Sequence, residues 1–152
     1  MQAMRQENAI SIHIRRDDYL TVADGKRYMG ICTEAYYNCA IDYISERVEN
    51  PIFYIFSDDT AYAKRIYNKN NMCVVDWNTG KDSLYDMELM RCCKHNICAN
   101  STFSMWGARL NTNPKKIMIR PLHHDNYETT DTETMHQNWP GWILIDAMGV
   151  VC

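Results

Sequence analysis

The sequence predicts a doubly wound α/β domain: a mainly parallel sheet with helices on both faces. Three observations predict it. Apolar segments of strand length alternate five times with stretches of helical periodicity. Capping residues such as Thr33 and Asp59 stand at the helix starts, and breaks such as Asn50-Pro51 and Asn113-Pro114 follow them. The length of 152 residues, 46% hydrophobic and 23% charged, suits one domain with a real core and excludes disorder and low complexity.

Ala9-Ile10-Ser11-Ile12-His13-Ile14 alternates in a strand period, with the isoleucines on one side and His13, then Arg15, on the other. A polar loop through Gly25 and Gly30 follows. Thr33 caps a helix over 34–49, with apolar positions at Tyr37, Ala40, Ile41, Ile44 and Val48. The unbroken apolar run 52–56 has the character of a strand buried on both faces. Ser57-Asp58-Asp59 is a loop and a start signal for a helix over 60–68. Met72–Val75 makes a third strand, and Asn78-Thr79-Gly80 turns into a helix over 83–93 with Leu84, Met87, Leu89 and Met90 on one face. A fourth strand at 96–99 leads through Asn100-Ser101-Thr102 to a helix over 103–110, and 116–119 is the fifth strand. Beyond Pro121 the chain turns polar and recovers apolar character at 139–145. The division is thus an α/β domain over 1–121 and a C-terminal extension, 122–152, packing on it.

Charge and targeting narrow the class. Sixteen basic against nineteen acidic residues give −3, which argues against a nucleic-acid partner bound through a broad basic face. No apolar run approaches the roughly 20 residues of a membrane span. Residues 1–8 lack the apolar core of a signal peptide. The expectation is a cytoplasmic chain, or a piece of a longer one, with peripheral contact at the inner membrane face compatible with either. Seven cysteines are an odd number at spacings unlike a disulfide framework. Cys92, Cys93, His95 and Cys98 lie close in sequence, but adjacent cysteines point apart on a helix. Reduced core thiols are therefore expected, and no metal.

In a doubly wound sheet ligands bind at the carboxyl ends of the strands, so chemistry belongs in the loops after Ile14, Phe56, Val75, Ala99 and Ile119. After Ile14 stand Arg15-Arg16-Asp17-Asp18, two planar forks that match phosphate oxygens, with Asp18 placed to hold one of them. Asp58 and Asp59 suit a ribose, a base, a metal or simple helix capping. Ser101 and Thr102 open a helix whose N–H groups form an anion site. Gly-x-Gly-x-x-Gly, Walker-type Gly-Lys-Ser/Thr and Gly-x-Ser-x-Gly are all absent. A receiver- or phosphatase-like magnesium site would want acidic residues where the arginines stand.

The stretch Ser11-Ile12-His13-Ile14-Arg15-Arg16-Asp17-Asp18-Tyr19-Leu20 resembles the His-x-Arg-Arg-x-Asp-Tyr motif of the α-1,2-fucosyltransferases, glycosyltransferase family 11. Three further stretches agree in order: Phe53 to Asp59, Asp86-Met87-Glu88-Leu89-Met90 before Cys93-Lys94-His95, and Ala99 to Ser104 running into Trp106-Gly107-Ala108. The resemblance implies the Rossmann-like, donor-binding half of a GT-B enzyme. Such an enzyme transfers L-fucose from GDP-β-L-fucose to a galactose-containing glycan, with inversion and without metal or other cofactor. It implies that Arg15 grips the β-phosphate with Arg16 and Asp18 in support, that His13 and Asp86 face the guanine, that Asp58 and Asp59 lie near the nucleoside or the arginines, and that Ser101 and Thr102 bind phosphate. The sequence departs from the family at Asp17 (commonly Gly), Met105 (Trp), Arg109 (aromatic) and Leu122-His123-His124 (an aromatic). Only about a dozen residues precede the arginine motif, where family members carry an acceptor domain. The expectation is therefore a fragment, with a GDP-sugar-binding remnant lacking activity as the alternative. Asp17, Asp18 and Asp24 are candidate bases by position alone.

Overall fold

The computed structural model describes residues 1–16, 19–20, 25–78 and 80–152. Asp17, Asp18 and Asp24 lie outside them. Six strands form one sheet: β1 (Ala9–Ile14), β2 (Ile52–Ser57), β3 (Met72–Val75), β4 (His95–Ile97), β5 (Met118–Pro121) and β6 (Trp142–Ile145), in the order β3-β2-β1-β4-β5-β6. Every neighbouring pair is parallel. The fold class is that of the sequence prediction, with β6 as a sixth strand beyond the five expected. β1 is central, and all six of its residues are buried.

Among the described residues the helices include α1 (Gln2–Gln6), α2 (Gly25–Tyr28), α3 (Glu34–Ser45), α4 (Thr60–Ile66), α5 (Ser83–Cys92), α6 (Thr102–Leu110) and α7 (Thr132–Asn138). They cover both faces. Ile10, Ile12 and Ile14 pack with Tyr36, Tyr37, Ala40 and Ile44 of α3 and Ala63 of α4. Across the sheet, Ala9 and Phe56 pack with Met4 and with Leu89 and Met90 of α5. A third cluster joins Met105 and Ala108 of α6 to Leu122, Met135 of α7, and Trp142 and Leu144 of β6. Each such fully buried aliphatic side chain contributes on the order of 1.5–3 kcal/mol.

Two buried amides inside this frame, Asn96 and Asn111, are paired. Asn96 on β4 donates to Ser11 Oγ at 2.7 Å and to the Met90 carbonyl at 2.8 Å, and it accepts from Asn111 at 2.8 Å. That chain of amides fixes β1, β4 and α5 against one another, because a buried amide left unpaired costs about 1–3 kcal/mol. Cys92, Cys93 and Cys98 are buried thiols, Cys93 donating to the Leu89 carbonyl and Cys98 to that of Ser104.

Candidate functional site

The strand order reverses between β1 and β4: the chain runs outward from β1 to β3 on one side and from β4 to β6 on the other. Two neighbouring strands whose connections leave in opposite directions open a crevice at their carboxyl ends. A cleft of about 650 Å³ occupies that position, within the roughly 300–1,000 Å³ of small-ligand sites. His13, Arg15, Asp58, Asp86, Ser101 and Thr102 all line it.

Each is held by local structure. The His13 carbonyl accepts from the Tyr37 hydroxyl at 2.9 Å, which anchors the end of β1. The imidazole is buried, 5.7 Å from the Phe103 ring, and its Nδ1 has no hydrogen-bond partner. Burial first, and then the Arg15 charge, push its pKa down to about 3. The ring is thus neutral at working pH and presents an unused polar atom beside the cleft. Arg15 Nε meets Asp58 Oδ2 at 3.1 Å, and the other Asp58 oxygen accepts from the Arg16 backbone N–H at 2.8 Å. One carboxylate therefore fixes both the side chain of the first arginine and the backbone of the second.

Arg16 and Asp59 face away from this cleft. Arg16 Nε lies 3.3 Å from Asp59, and its guanidinium covers the Tyr62 ring at 3.7 Å, on the α3/α4 side. Asp59 also caps α4, accepting from the Tyr62 N–H at 2.8 Å. Of the two arginines, the one sharing the His13 side is the one the fold delivers to the cleft.

On the β4 side, Ser101 is the N-cap of α6 in extended backbone, yet its hydroxyl makes no capping bond. The first turn of α6 thus has no side-chain cap from Ser101, and its N–H groups stand at the positive end of the helix dipole. On the β3 side, Asp86 in the first turn of α5 accepts from Asn78 at 2.6 Å, and burial raises its pKa above the usual carboxylate range. Gly80, at φ +57°, opens the short 3-10 turn that leads into α5. Asp76 lines the same end, with its carboxylate paired to Lys64.

Sequence reasoning missed several lining residues: Tyr19, Ser57, Asp76, Asn78 and His124. Four of them follow strands within a few residues, so the carboxyl-end rule carried a signal for them. Among the described residues no cluster of three or more His, Cys, Asp or Glu is arranged to hold a metal ion. No helix is long and apolar enough to cross a membrane, also among the described residues.

A model of Glycosyl transferase family 11 matches residues 1–145. The chain is 42% identical over 115 residues to the O-antigen biosynthesis glycosyltransferase WbnK of Escherichia coli, covering 75% of this chain and 38% of that protein. It is 39% identical over 120 residues to an alpha-1,2-colitosyltransferase of Escherichia coli, covering 78% and 41%. Human galactoside alpha-(1,2)-fucosyltransferase 1 is more distant, at 29% over 109 residues, covering 70% and 30%. The chain thus spans about two fifths of the length of its bacterial relatives. No solved structure matches it. A parallel sheet with a cleft at its switch point, lined by arginine, acidic residues and an open helix N-terminus, is the frame on which this match falls, and the chain belongs to glycosyltransferase family 11.

Proposed function

We propose that the chain is the donor-binding part of an α-1,2-glycosyltransferase that takes a GDP-linked deoxy sugar, GDP-β-L-fucose in the first instance. The observation that carries the reading is the convergence of Arg15 and the uncapped α6 N-terminus on one cleft. A fixed guanidinium and a helix dipole together neutralise a diphosphate. In an inverting transfer the acceptor hydroxyl oxygen attacks the anomeric carbon as the bond from that carbon to the β-phosphate oxygen breaks. Negative charge grows on the departing diphosphate, where Arg15 and the α6 N–H groups stabilise it, while the hydroxyl proton passes to a base. Asp86, supported by Asn78, suits the N1–H and exocyclic amine of guanine.

With cation and dipole supplied by the protein, the diphosphate grip needs no metal. In this reading the acceptor hydroxyl is held by sequence outside the 152 residues, so the chain alone binds donor without transferring it. A GDP-sugar-binding protein without transferase activity would bind equally well, and transfer to a galactoside after the missing part is supplied separates the two.

Calorimetry tests the donor site. GDP should bind this chain with or without EDTA, Arg15→Ala should abolish measurable binding, and Arg15→Lys should weaken it, because an ammonium makes no bidentate contact. Unchanged GDP affinity in Arg15→Ala would refute the phosphate assignment.

A further inference from the structure

The strand order lays the cleft residues out in a line. From β3 to β5 the carboxyl ends contribute Asp76 and Asn78, then Ser57 and Asp58, then His13 and Arg15, then Asn100 to Thr102, and last His124 beyond β5. Four strand intervals of about 4.8 Å give a row of about 19 Å, enough for an extended nucleoside diphosphate sugar. With the diphosphate at Arg15 and the α6 N-terminus, and the base toward Asp86, the covalent order of the donor places its sugar at the β4/β5 end.

That end is built. Asn100 is buried, and its amide donates to the Tyr28 carbonyl at 3.2 Å and to the His124 carbonyl at 3.0 Å. The His124 N–H donates to Glu128 at 2.5 Å. Tyr19 donates to the Asn100 carbonyl at 2.8 Å and stacks on Tyr28 at 5.1 Å. Arg27 meets Asp125 at 2.7 Å, and the Asn126 amide donates to the Lys26 and Met29 carbonyls. Two segments distant in sequence, α2 with its flanks and the loop after β5, are thus locked together at this end. Backbone bonds hold His124 in place, while its ring packs edge-on to Tyr28 at 6.0 Å.

The geometry points to His124 as the residue that hydrogen-bonds the sugar of the donor, with Tyr19 as the aromatic wall against which the sugar packs. A neutral imidazole offers one donor and one acceptor, and a hexose hydroxyl can use either. Burial first, and then the nearby Arg120, lower the His124 pKa and keep the ring neutral. This inference rests on the donor reading above and extends it to the specificity of the sugar.

The test compares GDP with GDP-β-L-fucose by calorimetry on the full chain. The wild-type chain should bind the sugar nucleotide more tightly than GDP. His124→Ala should reduce that margin by roughly tenfold, one lost hydrogen bond, and leave GDP affinity within about twofold. His124→Gln, which keeps a donor and an acceptor, should retain part of the margin, and circular dichroism on both variants checks the fold. An equal loss for GDP and GDP-fucose, or no loss for either, would overturn the assignment, as would a wild-type chain that shows no margin. A wild-type chain that binds no GDP at all would instead overturn the donor reading.

Discussion

At the scale of single residues, environment decides which side chain is available for chemistry. Asp86 and Asp59 are both acidic residues at helix starts, but Asp59 is spent on a cap and on Arg16, while Asp86 lines the cleft and accepts from Asn78. Asp86→Asn should therefore narrow the preference for GDP over ADP and UDP, by about 1–3 kcal/mol if a buried contact to guanine is lost. Equal affinity of the wild-type chain for all three diphosphates would make Asp86 a bystander. His13 carries a second expectation, for stability. Its pKa is near 3 when folded against an ordinary 6.5, so between those values the unfolded chain holds a proton that the native chain does not. Stability is then fully present above pH 6.5 and falls as the pH drops below it, by about 1.4 kcal/mol per pH unit for this one group. His95 and His124 are shifted the same way by burial and add to the slope. Denaturant melts of wild type and His13→Gln between pH 7 and pH 5 check it: the variant should show the shallower decline.

At the scale of elements, the close approach of α5 and α6 sets the width of the cleft, because one helix carries Asp86 and the other opens with Ser101 and Thr102, all lining it. Gly107 makes that approach possible. A Cβ there would sit 3.0 Å from the Met90 Cβ, an atom tied to its own backbone. Gly107→Ala gains helix propensity of about 1 kcal/mol but must push the helices apart, and overpacking of this kind costs about 1–3 kcal/mol. The expected outcome is a net loss of stability together with weaker GDP binding, and a variant equal to wild type in both would show that the helices can yield. Much of this layer was legible in sequence. Alternation placed Ile10, Ile12 and Ile14 on one face and His13 with Arg15 on the other, and it is His13 and Arg15 that line the cleft while Arg16 pairs with Asp59. β6 was not legible, because four apolar residues after Trp139-Pro140-Gly141 carry no period of their own. α7 buries only Met135, so its apolar stripe is a single point. Leu84 fits the helical face of α5 by spacing yet stands 71% exposed, since the buried stripe there runs through Leu89, Met90 and Cys92. His124 was legible only as a departure from the family pattern, because it enters the cleft from a loop, where no periodicity tells which side chain turns inward.

At the scale of the whole molecule, β6 and α7 belong to the same core as the earlier strands. β6 is the outer partner of β5, and its Trp142 and Leu144 pack with Met105 and Ala108 of α6. Ending the chain after Pro121 would strip the β5 edge and expose that cluster, so a 1–121 protein should aggregate or lose its cooperative transition. A monomeric 1–121 protein melting like the full chain would refute this. The strand order has one more consequence. β1 precedes the other five strands in sequence, yet it sits between β2 and β4, and its register with β4 pairs Ile10 with His95. The cleft also draws residues from His13 through to His124. Pairings so far apart in sequence pay loop-closure entropy before they return any contact energy, which slows folding. Helices such as α3 form from neighbours alone, whereas the cleft exists only once both halves of the sheet have met. In refolding from denaturant, the far-ultraviolet helical signal should therefore recover ahead of nucleotide binding, with ligand capture marking the last step of assembly.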